Sequence, residues 1–191
     1  MEKMKREIVK KILILMIVFV SLTACVFRQE TPAQINEKQN LEKERTFFDF
    51  LIGDWKLEKL QTPSETSFGG RDLYKFKKSL DGDAIESEWF FNRGTKSKPN
   101  FTNGLYFSAF DNLTKIWSFY YISPTAAQYY EGKKENGNWY FYKKFNINGE
   151  EFLQRQNWKK LDQQRISREI ENSKDGGRTW ETVYVTILKK N

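Results

Sequence analysis

From Thr46 onward, apolar and polar positions alternate with period two and are broken at short intervals by Gly, Pro, Asn, Asp and Ser. That pattern predicts half-buried β-strands joined by tight turns. Strands are expected over 54–60, 71–80, 84–92, 104–110, 115–122, 127–134, 139–147, 150–161, 164–173 and 179–189. The alternation is clearest over 84–92, where Ile85, Trp89 and Phe91 share one face and Glu86 and Glu88 take the other. Over 116–122 both faces are apolar or aromatic, so the pattern does not say which side is inward. Leu80-Asp81-Gly82-Asp83 reads as a turn. Asn136-Gly137 and Asn148-Gly149 are hairpin signals, because Asn-Gly suits the positive φ angles of a type I′ turn. No helix is expected inside this region beyond an aromatic turn at 47–51. About ten sequential antiparallel strands hide their edges best by closing into an up-and-down barrel, with a two-sheet sandwich as the competitor. The fold class is all-β.

Two segments anchor the pattern. The first is Phe47-Phe48-Asp49-Phe50-Leu51-Ile52-Gly53-Asp54-Trp55, where Gly53 permits a sharp turn and Trp55 opens the first strand with a large side chain to bury. The second is Ser173-Lys174-Asp175-Gly176-Gly177-Arg178-Thr179-Trp180. With both anchors and the strand spacing between them, residues 45–190 resemble the small bacterial lipocalin-like domains of unknown function in the calycin group. The resemblance implies a lipocalin-like barrel and brings no settled activity. It also implies an arginine packed against the Gly-x-Trp tryptophan at the closed end. The second anchor matches the Asp-box of sialidase-type propellers as well. One copy on so short a domain cannot build a propeller, whose blades need about four strands each. Asp175, Gly177 and Trp180, like Gly53 and Trp55, are therefore structural, and no glycosidase is inferred.

Ahead of the strands, Lys3, Lys5, Arg6, Lys10 and Lys11 precede an unbroken apolar run over 12–20. This is the pattern of a secretory signal peptide, too short for a stable membrane span of about 20 apolar residues. Leu22-Thr23-Ala24-Cys25 follows and resembles a bacterial lipobox. The resemblance implies a leader over 1–24, diacylglycerol on Cys25 and a membrane partner reached through that lipid. Val26 stands where an inner-membrane retention aspartate would be, so the expected location is the cell envelope, at the outer membrane in a host with two. Residues 25–44 are polar and read as a tether, with at most a short helix over 35–45. The domain then runs over 45–191, long enough for one core.

Composition narrows the chemistry. The chain holds no histidine and one cysteine, Cys25. The common zinc sites, a Ser-His-Asp or Cys-His triad, haem on a proximal His and a disulfide are excluded, and no cofactor or metal is expected. The formal charge is +7, but residues 1–24 carry five Lys/Arg against Glu2 and Glu7, so removing them leaves +4. That scattered surplus does not point to nucleic acid.

The informative positions are polar residues on apolar faces. Arg168 lies between Ile166 and Ile170, Gln154 and Gln156 between Phe152 and Trp158, and Ser87 between Ile85 and Trp89. Each costs energy inside a barrel unless hydrogen-bonded. Either they satisfy one another around Trp55, or they line an open end and meet a ligand's anionic or carbonyl group. Trp89, Trp117, Phe119, Tyr121, Tyr129 and Trp139 form either a solid core or a cavity wall. Ser87, Trp89, Gln154, Gln156 and Arg168 are the ligand-binding candidates. The leading expectation is a non-enzymatic carrier of a small hydrophobic or amphipathic molecule at the envelope. A structural or interaction protein without a ligand is the alternative, and a carboxylate-based enzyme, with no catalytic residues to name, comes third.

Overall fold

The structure, a computed structural model, describes residues 30–64, 66–68, 72–92 and 101–191. The expected leader and lipobox with Cys25, and the expected polar loop containing Gly94 and Pro99, fall outside the described residues. The chain divides into two compact units, Met1–Glu42 and Lys43–Asn191.

In the first unit the described residues form a helix, α1 (Pro32–Arg45), whose last turn belongs to the second. It starts at a reciprocal cap. The Gln34 N–H donates to Thr31 Oγ1 (3.3 Å), and the Thr31 N–H donates to Gln34 Oε1 (2.9 Å). Pro32 fills the first helical position, where an N–H would be unpaired anyway. Where the sequence suggested a tether with at most a short helix, this cap and a run of Ala, Gln, Glu, Lys and Leu sustain a longer one. None of its residues is buried.

The second unit holds strands β1 (Gly53–Gln61), β2 (Thr66–Phe68), β3 (Leu73–Ser79), β4 (Ala84–Asn92), β5 (Phe101–Asp111), β6 (Ile116–Ser123), β7 (Ala126–Glu135), β8 (Asn138–Ile147), β9 (Glu150–Lys160), β10 (Arg165–Ser173) and β11 (Glu181–Lys190). From β3 to β11 each strand pairs antiparallel with the next. β1 pairs with β2 and β3 along one edge and with β11 along the other. Ten strands thus close an up-and-down barrel, and β2, unexpected in a Ser/Thr/Gly-rich stretch, extends the far end of β1. The seam runs from Trp55↔Lys190 to Gln61↔Val185, with a bulge between Leu57 and Lys59. A closed ring leaves no long unpaired edge, which decides against the sandwich.

One end of the ring is plugged by the segment that enters it. Phe48 and Leu51 are buried, and Phe48 packs edge-on against Trp117 (centroids 5.2 Å) and obliquely on Phe141 (5.5 Å). Three indoles at this end donate to the same short segment. Trp55 Nε1 reaches the Leu51 carbonyl (2.7 Å), Trp117 Nε1 the Glu44 carbonyl (2.9 Å) and Trp139 Nε1 the Glu44 carboxylate (3.1 Å). Buried indoles need such acceptors. Ion pairs Arg45–Asp83 (2.6 Å), Lys78–Asp49 (2.8 Å) and Lys134–Glu44 fasten the segment from outside. Gly53 makes the turn into β1 at φ +131°, a value other residues rarely adopt. The cation facing Trp55 is Lys190, its Nζ 5.0 Å from the ring centroid, not an arginine. Arg168 packs elsewhere.

Asn136-Gly137 and Asn148-Gly149 turn with positive φ at both residues, as Asn-Gly predicts. Register settles the ambiguous β6: Trp117 and Phe119 are buried, with Tyr121 on their side, while Tyr120 and Ile122 face outward. Tyr129 is half exposed on the outer face, its ring tilted against that of Tyr120 (centroids 5.0 Å), and is not part of an inner wall.

The second anchor is a side-chain-built turn. Asp175 accepts from the N–H groups of Arg178 and Thr179 (2.9 Å each), from Thr179 Oγ1 (2.7 Å) and from Ser173 Oγ (2.8 Å). These donors, led by Thr179, hold the Asp175 carboxyl well below the usual range. Gly177 adopts φ +95°. Trp180 lies under the Arg155 guanidinium (4.1 Å), which also bonds Glu171 (2.6 Å), so the turn is latched to the barrel's outer face. β11 starts at Glu181 rather than 179 because Thr179 is committed to this turn.

Candidate functional site

Above the plug, the inward-facing residues change from wholly apolar to mixed. β10 supplies Ile166, Arg168 and Ile170, β9 supplies Trp158, Gln156 and Gln154, and β8 supplies Trp139, Phe141 and Lys143, each in order away from the plugged end. A cavity of about 380 Å³ opens where the polar members begin. Arg168, Trp89 and Tyr106 line its depth, with Tyr74, Tyr121, Tyr130, Tyr184 and Thr186 around the wall. Lys143, Gln128, Gln154 and Asp72 also face it.

Arg168 is the unusual group, being only 5% exposed. Its Nε donates to Gln156 Oε1 (2.7 Å), and its guanidinium lies 4.6 Å from the Trp89 ring centroid and 5.5 Å from that of Tyr106. Cation–π contacts of this kind stabilise a desolvated cation. None of the ion pairs among the described residues involves Arg168 or Lys143. Burial works against the Arg168 charge, and charge interactions with the surrounding tyrosines act the other way, so the net shift is upward; a guanidinium, protonated at any ordinary pH, stays charged here. Burial pushes the Tyr106 hydroxyl up, with Arg168 opposing, and pushes Tyr130 up to about 12. Both phenols are neutral hydrogen-bonding groups at ordinary pH.

Lys143 is half-buried. Its Nζ donates to Gln128 Oε1 (2.6 Å) and lies 4.9 Å from the Tyr130 ring centroid. Tyr130 donates to the same Gln128 oxygen (3.0 Å) and to Gln154 Oε1 (3.3 Å), while Gln154 Nε2 donates to Asn172 (2.9 Å). Burial, then the neighbouring charge of Arg168, lowers the Lys143 ammonium to about 8.

The candidates read from the sequence therefore separate. Trp89, Gln154 and Arg168 line the cavity together. Gln156 sits behind it, fully buried, positioning Arg168 and leaving its own Nε2 without a hydrogen-bond partner. Ser87 is also buried and accepts from Trp89 Nε1 (3.0 Å), so it orients the cavity's indole and does not line the cavity. Lys143, Tyr106, Tyr130 and Gln128 escaped sequence reasoning. Lys143 had a signal, since it continues the inward sequence Trp139, Phe141 and precedes Phe145 at the same spacing. The tyrosines had none, because period alone cannot distinguish a core phenol from a cavity phenol.

Among the described residues no three His, Cys, Asp or Glu side chains gather to hold a metal ion. A second hollow, about 490 Å³, lies by Ile116, Gly132 and Trp139. Its lysines are engaged, Lys133 with Glu135 and Lys134 with Glu44.

A closed ten-stranded antiparallel barrel, plugged at one end and carrying an aromatic, cation-bearing cavity, is compatible with a lipocalin-like fold and with ligand binding. No family model matches the chain, and no curated protein matches it either.

Proposed function

We propose that this barrel binds a small amphipathic ligand, holding its anionic or strongly polar end at Arg168 and its apolar body against Trp89, Tyr106 and Tyr121. The observation that carries this is a buried guanidinium that faces a cavity and has no carboxylate ion pair among the described residues. A buried cation without a counter-charge is costly to maintain, and an anionic guest supplies the missing charge with directional hydrogen bonds. The mixed wall suits the rest of such a molecule. In this reading the protein is a member of the bacterial lipocalin-like group, exported and lipid-anchored through Cys25, and carries its ligand at the envelope without catalysing a reaction.

A second reading keeps the fold and drops the ligand. Leu105 pairs with Ile122 and Tyr120 with Tyr129 on the outer face, and all four are exposed. An apolar patch of this kind suits a protein partner.

Native mass spectrometry separates the two. The protein is purified from its own host's extract, and its native mass is compared with its denatured mass. A reproducible added mass that vanishes on denaturation supports the carrier. A clean unliganded mass, unchanged after incubation with envelope lipid extract, overturns it in favour of the outer surface.

A further inference from the structure

Lys143 is the only lysine lining the cavity among the described residues. It has no carboxylate partner there. Gln128 Oε1 takes one of its N–H bonds, and the Tyr130 hydroxyl is held on that same oxygen. Arg168 faces the same space, and a second cation there disfavours the ammonium. An amine that is part-desolvated and beside a fixed cation is the arrangement that makes lysine a nucleophile toward carbonyl compounds.

We propose that Lys143 is a reversible covalent capture site, forming an imine with an aromatic or other apolar aldehyde seated in the cavity. The proposal rests on the reading that this cavity admits a ligand. In the first step the Nζ lone pair attacks the carbonyl carbon and a C–N bond forms. The carbonyl π pair passes to oxygen, which takes up a proton as nitrogen gives one up. In the second step the carbinolamine hydroxyl leaves with the remaining N–H proton as water, and the C=N bond closes. One amine and one aldehyde give one imine and one water, with no change of oxidation state. The lowered proton affinity of Lys143 agrees with this role, since near pH 8 about half of its amine is already neutral. An aldehyde that also carries a carboxylate engages both cations, its anion on Arg168 and its carbonyl at Lys143.

The test uses 4-carboxybenzaldehyde on the full chain at pH 8, followed by borohydride to fix any imine as a secondary amine. Intact mass and peptide mapping then locate the adduct. The expected result is a single adduct on Lys143, formed at least tenfold faster than on any other lysine and absent from Lys143→Arg. Labelling spread over the surface lysines, or a fast adduct that persists in Lys143→Arg, overturns the proposal. Terephthalate, which lacks the aldehyde, is titrated in parallel by calorimetry. If terephthalate binds and Lys143 takes no adduct, the covalent proposal fails while the carrier reading stands. If terephthalate does not bind and no adduct forms, both fail.

Discussion

Arg168 and Lys143 occupy inward positions on neighbouring faces of one cavity, and each tests a different part of its chemistry. Arg168→Met keeps most of the side-chain bulk and removes the charge, leaving Gln156 Oε1 without its donor. Hydrogen bonds to a charged group contribute about 1.5–3 kcal/mol. The variant should therefore bind decanoate roughly ten- to hundredfold more weakly, measured by quenching of tryptophan fluorescence with Trp89 at the site. Unchanged affinity would make Arg168 a purely structural residue. Lys143 gives a pH signature. Its folded-state value of about 8 lies below the unfolded value of about 10.4, so between them the unfolded chain binds the additional proton. Its contribution to stability therefore rises with pH across that window and is least favourable below it. Urea unfolding of wild type and Lys143→Met should show the variant relatively more stable at pH 7, with the difference narrowing toward pH 10. A pH-independent difference would contradict the burial of this amine.

At the level of elements, the two anchors do separate jobs. The 47–55 segment plugs one end of the barrel, and three indole N–H groups hold it there. The 173–180 turn joins β10 to β11 and is built from side-chain bonds to one carboxylate. Because the Asp175 carboxyl is held below its unfolded value, its stabilising contribution is present above about pH 4 and is lost as pH falls through the folded value. Asp175→Ala should therefore lower the melting temperature at pH 7. The gap from wild type should shrink under acid, as followed by far-UV circular dichroism. A gap that stays constant down to acid unfolding would mean the neutral carboxyl serves the turn equally well. Between strands, Gly132 marks a close approach, since a Cβ there would sit 2.0 Å from the Trp117 carbonyl oxygen. No side chain fits without moving backbone.

For the whole molecule, everything depends on the β1–β11 seam, which pairs the two ends of the domain. Leu188 is fully buried on that seam opposite Leu57. Leu188→Ala should cost about 2–5 kcal/mol in urea unfolding. Far-UV dichroism and tryptophan fluorescence should still change together, because the ring opens as one unit. Separated transitions would mean that the seam is not the closing element. The ten strands of the ring, most hairpin turns, the tight turn at 173–180 and the presence of polar groups on inward faces are legible in the sequence. Each of these is local, since period two, Asn-Gly chemistry and a carboxylate two to four residues from its donors are written within a few positions. The sequence pattern missed β2 and the full extent of α1, where propensity was weak or was decided by a cap. It could not orient β6, because both faces are aromatic and only the register with β5 and β7 decides. Tertiary structure alone put Arg168 on Trp89 and not on Trp55, moved Ser87 and Gln156 behind the cavity, and brought Lys143 into it beside Arg168. Those outcomes depend on which strands become neighbours when the ring closes, and no spacing along the chain encodes the distance between side chains on β4, β8 and β10.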